Sequence, residues 1–104
     1  MLYSITLGES RDVSFSFYTT LSGTKFVLMF DYNYRAASWY FGIADANGDI
    51  IKTGIKVKSN IPLLNTYNDD RLPLGELTIV DVAKTGRDPI FDDLDNTHVL
   101  MYEE

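Results

Sequence analysis

The residues of this chain that could perform chemistry lie near its C-terminus, where four aspartates precede the only histidine. The aspartates are Asp88, Asp92, Asp93 and Asp95, and the histidine is His98. Paired carboxylates can act as general acid and base, or they can bind a hard cation. These carboxylates are spread through a turn-rich segment, without a second histidine or a helical spacing that would orient them. We therefore interpret the aspartates as a solvated loop face and His98 as a surface or packing residue.

A second acidic run, Asp-Ala-Asn-Gly-Asp at residues 45–49, superficially resembles the start of a calcium-binding loop. The EF-hand pattern requires Gly at its sixth position and Glu at its twelfth, whereas this chain has Ile50 and Lys56 there. The pair Asn47-Gly48 lies between two apolar runs and predicts a β-hairpin, because both residues tolerate the positive φ angles of a type I′ turn. We expect no metal site and no cofactor.

Composition and charge argue against several other classes of function. The 104 residues include no cysteine, which excludes thiol catalysis, thiolate metal sites and disulfides. The formal net charge of −6 opposes a phosphate backbone, and apart from Lys52, Lys56 and Lys58 the basic residues are scattered singly. The N-terminus lacks the pattern of a signal peptide, and no apolar run approaches the roughly 20 residues that span a bilayer. We therefore expect neither nucleic acid nor a membrane as partner.

The elements that must position these residues are β-strands. Apolar and polar residues alternate in short runs, and the chain is rich in Tyr and Phe, which favour a pleated, half-buried surface. The predicted strands span about 3–7, 13–17, 25–34, 39–44, 50–57, 77–82 and 98–102. Longer loops are predicted at 58–75 and 83–96, and Gly54 predicts either a bulge in its strand or a close approach of another backbone. We predict one all-β domain over residues 1–104, an antiparallel β-sandwich or small β-barrel of about seven strands.

The aromatic residues bear on what this domain contacts. Trp39 falls at an inward position of the alternating pattern and is predicted to be core, the alternative being a sugar-stacking platform. The chain has seven tyrosines, and those that reach the surface are of a type enriched at the centres of protein interfaces. We expect the loop at 58–75 to order against a neighbouring protein, although its Leu-Leu pair is also predicted to pack into the core. The candidate interface residues are Leu63, Leu64, Tyr67, Tyr32 and Tyr34.

One further series of features runs along nearly the whole chain. The series comprises Trp39, Asp-x-x-Gly at 45–48, Leu-Leu at 63–64, Asp-Pro at 88–89, Asp-Leu at 93–94 and Leu-x-Tyr at 100–102. It resembles the small plug proteins of contractile phage tail baseplates, a family that includes the baseplate plug of a cyanophage. The resemblance implies a β-rich structural protein lodged among hub components at the tail tip, with no catalytic chemistry and no cofactor.

These interpretations converge on a structural function. We expect a virion component of a tailed phage or prophage, not an enzyme, which is assembled in the host cytoplasm and packs against the tail hub. The resemblance implies other baseplate or hub proteins as partners, and it implies a homotrimer or single copies on a trimeric hub. Two alternatives stay open. One is a carbohydrate- or ligand-binding β-sandwich that uses Trp39 and exposed tyrosines, and the other is an enzyme that uses the carboxylates of residues 88–95.

Overall fold

The computed structural model describes residues 2–5, 7, 13–64 and 70–104. In this part of the chain there are seven β-strands and no helix, which confirms the all-β prediction. The strands are β1 (Leu2–Ile5), β2 (Ser14–Leu21), β3 (Thr24–Asn33), β4 (Ser38–Asp45), β5 (Ile50–Lys56), β6 (Glu76–Asp81) and β7 (His98–Glu103). Over these residues, nothing helical is long and apolar enough to cross a membrane.

The strands form two antiparallel sheets that pack against each other. In the four-stranded sheet, β2, β3, β4 and β5 lie side by side in chain order, so each neighbour pair is joined directly along the chain. In the three-stranded sheet, β7 lies between β1 and β6. The described strands do not close into a barrel. Of the two predicted architectures, the β-sandwich is therefore the one that the structure has.

The core lies between the inward faces of the two sheets. On β3 the buried side chains of Phe26, Leu28 and Phe30 alternate with more exposed neighbours, as the two-residue period of a pleated strand requires. The three-stranded sheet contributes Ile79 on β6 and Leu100 on β7, which are paired in register and are both buried. Burial of each such side chain stabilises the fold by about 1.5–3 kcal/mol. All five belong to one apolar cluster, so the two sheets share a single core.

The hairpin between β4 and β5 confirms the predicted antiparallel pairing, but its turn differs from the predicted type I′. Only Gly48 has a positive φ, at 88°, whereas a type I′ turn requires a second residue of this kind. The Gly48 N–H donates to the Asp45 carbonyl at 3.0 Å, and the Asp45 N–H donates to the Asp49 carbonyl at 3.0 Å. The Asp45 carboxylate also accepts from the N–H groups of Asn47 and Asp49, at 2.9 and 3.0 Å. Hydrogen bonds to this carboxylate therefore stabilise a turn that is longer than two residues and contains a glycine bulge. The acidic run at 45–49, which resembled a calcium loop, forms this turn.

Gly54 lies in a bulge of β5, which is the first of the two predicted alternatives, and no other backbone in the described part of the chain approaches it closely. The register between β4 and β5 shifts on both sides of Ile43, and Gly54 has a φ of 72°. Glycine adopts this left-handed conformation without the steric cost that a Cβ would add. A bulge also twists an edge strand away from unwanted pairing, and β5 is at an edge of the four-stranded sheet.

Candidate functional site

The acidic segment near the C-terminus is not the solvated face that the sequence predicted. Asp92 is exposed, but Asp93 is buried. Arg87 Nη2 donates to the two carboxylate oxygens of Asp93 at 2.9 and 3.1 Å, and the Ile90 N–H donates to Asp93 Oδ2 at 2.9 Å. The prediction of a solvated side chain is therefore wrong for Asp93. Its carboxylate is enclosed by the surrounding loop and accepts hydrogen bonds from a backbone N–H and a guanidinium group of that loop.

The other two aspartates of this segment also bind backbone rather than face solvent alone. Asp88 Oδ1 accepts from the Ser59 N–H at 2.9 Å, and Asp95 Oδ2 accepts from the Leu7 N–H at 2.7 Å. Both carboxylates are half-buried. They tie the loop between β6 and β7 to segments that are distant in sequence.

His98 is fully buried, which confirms it as a packing histidine. Its Nε2 lies 3.0 Å from the Arg87 carbonyl oxygen, and its Nδ1 lies 2.8 Å from Thr97 Oγ1. The carboxylates of Asp81 and Asp93 flank the ring, each with an oxygen 3.8 Å from a ring nitrogen. We call Asp81, Arg87, Asp93 and His98 the polar cluster. Asp81 was not predicted, because only the pairing of β6 with β7 brings it beside the histidine.

Hydrogen bonds lower the pKa of both carboxyls in the polar cluster. For Asp81 the strongest influence is the Thr85 N–H, which outweighs the effect of burial, and the Gly86 N–H and Thr85 hydroxyl lower the pKa further. For Asp93 burial acts to raise the pKa, but the Ile90 N–H, the Arg87 guanidinium and the Thr97 hydroxyl together bring it below its ordinary value. A general acid at neutral pH needs a raised carboxyl pKa. The geometry therefore favours a structural role, in which the polar cluster fastens the loop between β6 and β7.

Trp39 is fully buried, so the core prediction is confirmed and the sugar-stacking interpretation of this residue is wrong. The indole Nε1 donates to the Ile90 carbonyl at 3.0 Å. The ring of Phe91 stacks on the indole, with centroids 6.0 Å apart and planes inclined by 10°. The indole is covered entirely by side chains of the protein, so none of its surface is available to a ligand.

Aromatic residues continue from Trp39 to the surface. Tyr32, half-buried, has its ring centroid 5.1 Å from that of Tyr34 and 5.4 Å from that of Phe91. Tyr34 is 69% exposed. We call Tyr32, Tyr34 and Phe91 the aromatic ledge. Its two tyrosines were predicted as interface residues, whereas Phe91 was missed because it lies in a segment that has no strand pattern.

The remaining predicted interface residues come from the 58–75 loop. Leu63 is buried, and its N–H donates to the Leu77 carbonyl at 2.8 Å, so the loop is attached to β6 at this point. Leu64 is half-buried against the core. Tyr67 lies outside the described residues. Leu74, which was not among the predicted interface residues, is 92% exposed and is the most exposed large apolar side chain in the described residues.

No group of three or more His, Asp or Glu side chains that could hold a metal ion occurs among the described residues. Comparison with known protein families identifies a match that covers nearly the whole chain. The family model for the cyanophage baseplate Pam3 plug gp18 matches residues 2–104. No curated protein matches the chain.

Proposed function

Because the chain belongs to the family of the cyanophage baseplate Pam3 plug gp18, we propose that it is a structural plug lodged against the tail hub of a contractile phage. The match over residues 2–104 carries this proposal, since it takes in every described strand. The polar cluster supports it, because the carboxylates of Asp81 and Asp93 and the ring of His98 are bonded to the chain's own backbone. We accordingly propose that the chain acts without catalysis and without a cofactor.

The aromatic ledge is the surface that we propose contacts the hub. Tyr32 and Phe91 are fixed by their packing on Trp39, so little side-chain entropy is lost when a partner covers them. Rigid aromatic anchors of this kind dominate the energy of many interfaces. A specific interface involves about 20–30 residues on each side, more than the aromatic ledge supplies. We propose that the 58–75 loop provides further contacts, with Leu64, Tyr67 and the exposed Leu74 as its members.

The mode of assembly follows from the same features. The chain has no cysteine, so the plug is held by surface contacts rather than by disulfides. The net charge of −6 is unfavourable for contact with nucleic acid, which leaves proteins as the partners. We propose a position in the tail baseplate of the virion, reached by assembly in the host cytoplasm, as a homotrimer or as single copies on a trimeric hub.

The test is incorporation into tails. Tails that lack this chain are mixed with the purified, tagged protein, and the fraction that sediments with the tails is measured. We expect the unmodified chain to sediment and Tyr34→Ser to lose most of this binding while keeping its Tm, because Tyr34 is largely exposed in the free chain. Tyr18→Ser is the matched control, since Tyr18 is 60% exposed on a different surface, the outer side of β2.

Two results would count against the proposal, and they are distinguishable. If the unmodified chain stays in the supernatant, the plug function itself is wrong. If it sediments but Tyr34→Ser and Tyr18→Ser bind equally well, the plug function stands and the aromatic ledge is not its contact. Hydrogen exchange of residues 58–64 and 70–75, which we expect to be slower in the tail than in the free protein, separately tests the loop.

A further inference from the structure

The outward side of the three-stranded sheet has an unusual composition. Residues that alternate with the core positions of β6 and β7 point away from the sandwich, together with Leu2 on β1. We call this surface the outer face, and it is lined by four apolar side chains, one threonine and two carboxylates: Leu2, Val80, Val82, Met101, Thr78, Glu76 and Glu103. Leu2 and Val82 are 57% and 52% exposed. The solvated side of an antiparallel sheet is normally polar, so this apolar stretch is a surface with the character of an interface.

Two carboxylates stand at one end of the outer face. Glu76 and Glu103 are directly opposite each other in the register of β6 and β7. Like charges in this position repel and destabilise the sheet. In the described part of the chain, neither carboxylate forms an ion pair. A cation supplied from outside would therefore relieve a repulsion that the free chain carries.

The shape of the outer face restricts what can occupy it. A shallow groove of about 250 Å³ runs between the apolar side chains and the two carboxylates. Small-molecule sites usually measure roughly 300–1,000 Å³ and enclose their ligand, so this groove is better matched to single side chains of a larger partner. Arg and Lys combine an apolar stem with a charged head. Such a side chain can lie along Val80 and Met101 and place its head between Glu76 and Glu103.

We propose that the outer face binds a second protein whose surface presents arginine or lysine beside apolar side chains. A symmetric contact between two copies of the outer face does not fit, because the lining of the groove contains no Lys or Arg that could neutralise Glu76 and Glu103. This inference goes beyond the plug function, because it concerns a surface formed by β1, β6 and β7, whereas the aromatic ledge is carried by the end of β3 and the loop before β7. It gives the chain two separate protein contacts.

The experiment uses the free, full-length protein and two defined peptides. One soluble peptide alternates leucine with arginine, and the other alternates leucine with glutamate. Binding is followed by NMR through the methyl signals of Val80, Val82 and Met101. We expect the arginine peptide alone to shift these signals, with an affinity that falls as salt is added. We expect E76Q/E103Q to weaken this affinity about threefold to tenfold, while D49N/D92N, an equal charge change at exposed positions elsewhere, leaves it nearly unchanged.

Each other outcome overturns the proposal. Equal binding of both peptides, shifts confined to other surfaces, or equal effects of the two double variants would mean that the outer face has no selectivity for a basic partner. Methyl shifts that depend on protein concentration without any peptide would identify a second copy of this chain as the occupant. None of these results depends on whether the protein enters tails, so the outer face and the plug function succeed or fail separately.

Discussion

The hydroxyl of Tyr102 lies 2.7 Å from Ser22 Oγ and thereby joins the last strand of one sheet to the first turn of the other. The same hydroxyl accepts a hydrogen bond from the Gly75 N–H at 2.8 Å. Ser22 Oγ in turn donates to Glu104 Oε2 at 2.8 Å. One buried phenol therefore connects both sheets and the end of the 58–75 loop.

Tyr102→Phe is expected to lower the free energy of unfolding by about 1–3 kcal/mol. The ring still fills its site, but the Gly75 N–H loses its acceptor in a partly buried position, and an unsatisfied donor costs about this amount. Urea unfolding of the variant measures the change. Tyr34→Phe is the control, because its exposed side chain should change stability by less than about 0.5 kcal/mol. Equal losses in the two variants would contradict the bridging role.

Gly75→Ala is expected to be among the most destabilising changes in the chain. An added Cβ would clash with the Glu103 carbonyl oxygen and would lie 2.7 Å from Tyr102 Cζ, so the backbone would have to move. Overpacking of this kind costs about 1–3 kcal/mol or more. Gly42→Ala is the comparison variant, because its Cβ would meet Thr53 Cγ2 at 3.0 Å, Met29 Cε at 3.1 Å and the Lys52 carbonyl oxygen at 3.3 Å, which requires shifts of only a few tenths of an ångström. Thermal unfolding should give a clearly lower Tm for Gly75→Ala, and the opposite order would refute this account.

The polar cluster predicts a loss of stability in acid. The pKa values of Asp81 and Asp93 are lowered in the folded chain relative to about 3.9 in an unfolded one. The unfolded chain therefore binds more protons near this pH, so the stabilisation is complete only above about pH 5 and is lost as the pH falls through the folded values. Unfolding by urea between pH 2 and 7 should show this slope, and Asp93→Asn should reduce it. Asp92→Asn, at an exposed position, should leave the slope unchanged; a reduction as large as that in Asp93→Asn would assign the effect to general charge.

Trp39→Ala is expected to cost about 3–5 kcal/mol, a large part of the roughly 5–15 kcal/mol that stabilises a typical domain. The indole is fully buried, stacks on Phe91 and donates to the Ile90 carbonyl. Trp39→Phe keeps most of the volume and should lose less. Chemical denaturation compares the two, and an unchanged midpoint for Trp39→Ala would show that the core around it is not needed.

Alternation along the chain was sufficient to predict where strands occur, because the two-residue period is a local property. The prediction of strand ends failed where a polar residue occupies an inward position, because the apolar alternation stops there although the strand continues. β2 was predicted to end at Phe17 but continues to Leu21, since Thr19 occupies an inward position opposite Phe26. The turn at Gly48 was predicted from its dipeptide alone, and the Asp45 carboxylate overrode that preference.

The contacts between distant residues could not be predicted from spacing. Asp81 and His98 meet because β6 and β7 pair, and Asp93 joins them because its loop folds over that pair. A sequence pattern carries no record of such pairing, so Asp93 was mistaken for a solvated residue. The surplus of tyrosines predicted that some reach the surface but could not show which ones, and in the structure Tyr34 is exposed, Tyr32 is half-buried and Tyr102 is fully buried.

Glu103→Gln is expected to stabilise the free protein, in contrast to the preceding variants. Glu76 and Glu103 are opposed in the register of β6 and β7, and removal of one charge should relieve a repulsion of roughly 0.2–1 kcal/mol. Once Glu103 is replaced, Glu76→Gln should add little, because the charge that it repelled is gone. A double-mutant cycle by urea unfolding at low salt measures this coupling, which should shrink when salt is added. Asp49→Asn, which removes one charge from the exposed turn, provides the baseline. Additive gains from Glu76→Gln and Glu103→Gln, each equal to that baseline, would show that the two carboxylates do not interact and would remove the electrostatic reason for a basic partner at the outer face.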